Sequence, residues 1–152
     1  MIRTLLVSLL TLGMLAASAV PRAETQRLVL VTSTPGITAA DIDRETARRL
    51  FLGRAVVWDN QRITPIINHS EDLIYEVFLQ NVIHMSANHY ERHMLSTVFR
   101  LGGKRPRSVS DFGSLMEALN SRPATVTFMW ESRARATPGV YIVTELWKGE
   151  LR

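Results

Sequence analysis

Arg49-Leu50-Phe51-Leu52-Gly53-Arg54, Trp58-Asp59-Asn60-Gln61 and Ile63-Thr64-Pro65-Ile66-Ile67 follow one another closely, and their order decides the fold. The first piece ends a helix, because apolar residues at helical spacing run into a glycine that supplies the stop. The second reads as a turn. The third is a β-branched run whose Pro65, unable to donate to a ladder, places it near a sheet edge or a strand end. A helix that turns back into a strand is the step from which layered α/β domains are built.

Upstream, Thr38-x-x-Asp41 predicts the start of that helix, and Ile42, Thr46 and Leu50 with Ala39, Ala47 and Phe51 give it an apolar face. Before it, Arg27 to Thr32 (R-L-V-L-V-T) reads as a strand covered on both faces. Downstream, Ser70 is read as an N-cap followed by Glu71 and Asp72, with Leu73, Ile74, Val77, Phe78 and Val82 as the buried side of a second helix. Ser86 caps a third helix to about Phe99, and the segment from Gly102 to Arg107 is loop. Ser110 opens a fourth helix that Pro123 closes. Ala124 to Trp130 and Val140 to Val143 are the last strands, separated by a turn at Thr137-Pro138-Gly139. The expected fold class is therefore α/β, a mixed sheet with flanking helices.

Residues 1–23 have the three parts of a secretory leader: Arg3, an apolar run from Thr4 to Ala17, and small residues that allow cleavage after Ala19 or after Ala23. The apolar run is shorter than the roughly 20 residues of a membrane span, and Pro21 and Arg22 break it. The expected location is the periplasm, with no membrane span in the mature chain. Residues 24–152 form one domain's length. There is no cysteine, hence no lipobox and no disulfide framework. The full chain carries 18 Lys+Arg against 14 Asp+Glu, a net +4 that falls to +2 once Arg3 and Arg22 leave with the leader. So mild an excess suits a small anion or an acidic partner surface and excludes the concentrated basic stripe of a nucleic-acid binder.

The passage quoted at the outset resembles the "IFLGK, W, DG, I-P-V" stretch of phosphate ABC-transporter substrate-binding proteins. The resemblance starts at Ile42 and reaches the last strands. Phe78, Met85-Ser86, Phe99 and Lys104-Arg105-Pro106 are similar to the short periplasmic members of that superfamily. It implies a single type II periplasmic-binding-protein-like lobe, solute binding with phosphate or another small anion as ligand, and an ABC-transporter permease as partner. A periplasmic sensor domain is the alternative partner, for a lobe that has lost its solute. In complete receptors the loop after the second strand carries Arg-x-Asp-x-Ser-Gly-Thr, which holds phosphate at a helix start. Here Ser70 matches within Asn68-His69-Ser70-Glu71-Asp72, while Glu71-Asp72 replaces Gly-Thr and sets two carboxylates at the anion's position. Likewise Pro123-Ala124-Thr125-Val126-Thr127-Phe128 stands where the family has Pro-Gly-Ala-Ile-Gly-Tyr.

Candidate anion ligands are thus Ser70, the loop arginines Arg54 and Arg105 (with Lys104 and Arg107 nearby), and Thr32, Ser33 and Thr34 at the carboxyl end of the first strand. Each has a plain structural role as competitor, a cap for Ser70 and solvation for the arginines. His89 and His93 lie four apart on one helix face, with His84 a turn earlier. Tyr90, however, stands where H-E-x-x-H needs glutamate, so a solvated helix face is expected and no metal or cofactor. A nucleophile elbow and a phosphate-binding Walker loop are both missing, and no enzyme is expected.

Overall fold

A computed structural model describes residues 24–151; the expected leader lies outside them. Five strands form one sheet in the order β5-β4-β6-β1-β7: β1 is Thr25–Thr32, β4 Thr64–Asn68, β5 Arg107–Val109, β6 Thr125–Trp130 and β7 Tyr141–Glu150. β4 runs parallel to β5 and β6, whereas β1 is antiparallel to both β6 and β7, giving the expected mixed sheet. Two short strands, β2 (Val57–Trp58) and β3 (Gln61–Arg62), make a separate hairpin. Its two central residues, Asp59 and Asn60, have φ of 47° and 58°, the left-handed pair a tight hairpin turn demands and asparagine and aspartate tolerate.

The helices are α1 (Arg44–Phe51), α2 (Ile74–Phe78), which continues into a π-helical turn at Leu79–Ile83, α3 (Ala87–Leu101), α4 (Phe112–Asn120) and α5 (Glu131–Ala136). They cover both sheet faces. On one, Phe78 stacks on Phe128 with ring centroids 3.8 Å apart, and Phe51 meets both edge-on at 4.9 and 5.7 Å. This cluster joins α1, α2 and the centre of β6, and Tyr90 and Met94 of α3 complete it. On the other face Val29, Val31, Ile66 and Met129 pack with Leu115 and Ala118 of α4 and Ala134 of α5. Every residue of β6 is buried, as a central strand covered on both sides requires.

Several sequence expectations are corrected. α1 starts at Asp43, not at Thr38: Thr38 and Asp41 close a turn of their own, with Asp41 Oδ2 2.8 Å from the Thr38 N–H, and Asp43 then accepts from the Thr46 N–H at 2.7 Å. Gly53 ends α1 as expected, with φ +89°. Ser86 caps α3, accepting from the His89 N–H at 3.3 Å. α4 is capped by Asp111 rather than Ser110, because the carboxylate takes the Ser114 N–H at 2.8 Å. The segment after Gly102 is loop only to Pro106, since Arg107–Val109 forms β5, and the final strand extends to Glu150 instead of stopping at Val143. Pro65 stands second in β4, at the strand's start but inside the sheet.

Candidate functional site

The parallel strands β4, β5 and β6 end on the same side of the sheet, and each leads into a helix. Open α/β sheets place their ligand crevices at such an edge. Leaving β4, Asn68 is fully buried and works twice: its Nδ2 donates to the Phe128 carbonyl at 2.9 Å, and its Oδ1 accepts from the Ser70 N–H at 2.8 Å. The His69 N–H donates to the Val109 carbonyl at 2.8 Å. The loop after β4 is thereby fixed to both neighbouring strands.

Because Asn68 holds the Ser70 N–H and Leu73 then turns left-handed (φ 59°), α2 begins only at Ile74 and has no side-chain cap. Ser70 is therefore not the expected N-cap. Among the described residues its buried Oγ has no hydrogen-bond partner, and neither has the buried Glu71 Oε2. The other Glu71 oxygen accepts from Arg133 Nε at 3.2 Å, and the Arg133 guanidinium lies 4.8 Å over the Phe112 ring. One arginine thus ties together the segments that follow β4, β5 and β6.

Beside this, the His69 and Tyr75 rings are 3.9 Å apart. Burial holds the His69 imidazole below its usual range, opposed by the Glu76 and Glu91 carboxylates; burial likewise raises the Tyr75 phenol. Arg105 forms an ion pair with Glu91. Near the edge, then, Arg105 and Arg133 are each already engaged by a glutamate.

The remaining predicted residues stand elsewhere. Since β1 runs against β4 and β6, Thr32, Ser33 and Thr34 lie at the opposite end of the sheet from Ser70. Their hydroxyls are in use: Thr32 Oγ1 donates to the Thr125 carbonyl and Ser33 Oγ to the Leu119 carbonyl, each at 2.7 Å, while Thr34 Oγ1 accepts from the Ala124 N–H at 3.0 Å. They lash the end of β1 to the α4–β6 connection. Arg54 follows α1 and sits beside the C-terminal half of α3, in concave surface shared with His93, Thr97 and Arg100. Of the histidines, His84 closes the π-helical turn with φ 61° and His93 Nε2 is 3.2 Å from the Leu52 carbonyl. Among the described residues no three histidines or carboxylates are placed to hold a metal, and no helix is long and apolar enough to cross a membrane.

Asn68, His69 and Arg133 are not among the candidate ligands that the sequence singles out. An asparagine ending an apolar strand is a readable signal for the first, since a buried amide must find partners. Nothing local marks Arg133.

No family model and no curated protein matches the chain. Among solved structures it is similar to PstS from Borrelia burgdorferi, with a TM-score of 0.55 and 16% identity over 79% of this chain and 47% of that one. It also aligns with an ABC-type phosphate transport receptor from Vibrio cholerae, at TM-score 0.42 and 12% identity over 78% of this chain and 46% of that one. The chain spans about half the length of these structures. The first likeness, at that identity, is one of fold: a mixed sheet between two helical layers, in the manner of one binding-protein-like lobe.

Proposed function

We propose that the chain is an exported, non-enzymatic receptor lobe of the periplasm that holds a small solute, phosphate or another small anion, and presents it to an ABC-transporter permease. The observation carrying this reading is Ser70: a buried hydroxyl with no partner among the described residues, beyond the carboxyl end of β4, the sheet edge at which such folds take their ligands. The leader-like residues 1–23 support export. A lone lobe leaves much of a ligand open to water, so affinity should be modest unless a partner supplies the second wall.

Glu71 favours a second reading, a periplasmic interaction protein that has given up its solute and docks on a sensor domain. A carboxylate whose buried Oε2 accepts no hydrogen bond among the described residues stands next to Ser70 and disfavours an anion there, even with Arg133 paired to its other oxygen. Calorimetric titration of the protein from Glu24 onward with phosphate and other oxyanions, repeated on Ser70→Ala, separates the two. Saturable heat that weakens in the variant supports the receptor; no heat at millimolar ligand sinks it and leaves the interaction protein.

A further inference from the structure

We propose a second anion site, distinct from the β4 edge, in the two clefts that meet at Arg54, suited to a multiply charged oxyanion such as a diphosphate. The chain reverses at Gly53, whose φ of +89° no side-chain-bearing residue adopts comfortably. A Cβ there would stand 2.9 Å from Thr97 Cγ2, so the glycine also allows the close approach that lays Arg54 against α3. One cleft, with a cavity volume of about 210 Å³, brings Arg54 together with His93, Thr97 and Arg100; the other adds Thr46 and Arg49. Among the described residues no carboxylate lines either cleft.

Charge pairing elsewhere gives the contrast. Arg27, Arg48, Arg105, Arg133 and Arg135 each lie within ion-pair distance of a glutamate, whereas among the described residues Arg49, Arg54 and Arg100 pair with none. Asp43 is within electrostatic reach of Arg49, but that carboxylate caps the start of α1. Other arginines are unpaired too; these three line two clefts that have Arg54 in common.

The ordinary reason for arginines at a helix end is to serve its unpaired carbonyls and negative dipole. At the end of α1 that work is already done. The carbonyls of Arg48, Arg49 and Leu50 accept from the N–H groups of Leu52, Arg54 and Gly53; that of Phe51 accepts from Tyr90 Oη at 2.7 Å. The Leu52 carbonyl takes His93 Nε2. A carbonyl only accepts, so Nε2 carries the hydrogen. Thr97 Oγ1, 3.5 Å from the same nitrogen, then keeps its own hydrogen for a ligand. Three guanidiniums and a hydroxyl donor face the clefts with no acceptor assigned to them inside the fold but the Thr46 hydroxyl, 3.2 Å from Arg49. Oxyanions are what such donors bind.

The test is titration of the protein, expressed with its own leader and purified, with inorganic pyrophosphate at low salt. Calorimetry is paired with amide NMR of Thr97 and Arg54. Saturable binding that moves both amides, drops about tenfold or more in Arg54→Ala and Arg100→Ala, recovers partly in Arg54→Lys and is unchanged in Ser70→Ala is the expected result. Absence of saturable binding at millimolar pyrophosphate overturns the proposal. So does binding that Ser70→Ala abolishes and Arg54→Ala leaves intact, which would assign the anion to the β4 edge. Arg54 is exposed, so its variants retain the fold, and an unchanged melting temperature verifies it.

Discussion

Tyr90, near the start of α3, donates its phenolic hydrogen to the main-chain carbonyl of Phe51 across 2.7 Å, a bond between residues 39 apart in sequence that joins α3 to the last residue of α1. Burial raises the phenol far above its usual range, so it stays a donor at every physiological pH. Tyr90→Phe leaves the ring in place and orphans a buried carbonyl. A loss of about 1–2 kcal/mol in urea unfolding is expected, with little change in m-value. A variant as stable as the parent would mean that water replaces the hydroxyl.

Asn68 is bonded at both ends, to Phe128 and to Ser70. Asn68→Ala should cost about 2–3 kcal/mol, because it strands a buried carbonyl and frees the loop that carries Ser70. Asn68→Asp should cost more: it retains the acceptor but faces a carboxylate toward the Phe128 carbonyl. Thermal melts of the two variants provide the ranking, and equal costs would show that only loop geometry matters.

The stacked pair Phe78 and Phe128, with Phe51 edge-on, ties α1 and α2 to the sheet centre. Phe78→Ala is expected to lose about 3–5 kcal/mol, and Phe78→Leu clearly less, since leucine fills most of the cavity. Chemical denaturation of both variants measures the gap.

His69 has a folded-state pKa below its ordinary value of 6.5, chiefly through burial. The folded protein therefore resists protonation more than the unfolded chain does. Stability is full above about pH 6.5 and declines as pH falls through that value toward the folded pKa. His69→Gln should flatten this decline. Melting temperatures at about pH 7.5 and about pH 5.5 test it: an equal drop in both proteins would place the acid sensitivity elsewhere.

Asp111 has the opposite sign. Its hydrogen bonds to Ser114, side chain first and then main chain, hold the carboxyl below its ordinary value of 3.8. The cap's electrostatic contribution is present above that value and lost as pH falls through the folded pKa. The stability gap between the parent and Asp111→Ala should be widest near neutrality and narrow toward about pH 2.5. A gap independent of pH would show that the capping geometry, not its charge, supports α4.

What the sequence discloses here follows from the range of the forces involved. Gly53, the Asp59-Asn60 turn and the Ser86 cap are local devices, and each sits where its residue type predicts. Ser70 followed by two acids has the local signature of a cap, yet Asn68 reaches its N–H first and Leu73 turns left-handed, so the helix starts later. The hydroxyls of Thr32, Ser33 and Thr34 are typical of a strand-end ligand set, but their partners lie 86 to 93 residues away. β5 is three residues long with one of them buried, and α5 follows β6 without a break, so neither leaves a periodicity to read.

β1 lies between β6 and β7, two strands far later in the sequence, and pairs Leu28 with both Trp130 and Trp147. Its apolar run has no strand partner in the sheet until β6 and β7 have been made. Closure of the sheet waits on those two strands by topology alone. A chain cut before β7 never completes the sheet: β1 is left as a bare edge, open to any other strand that meets it.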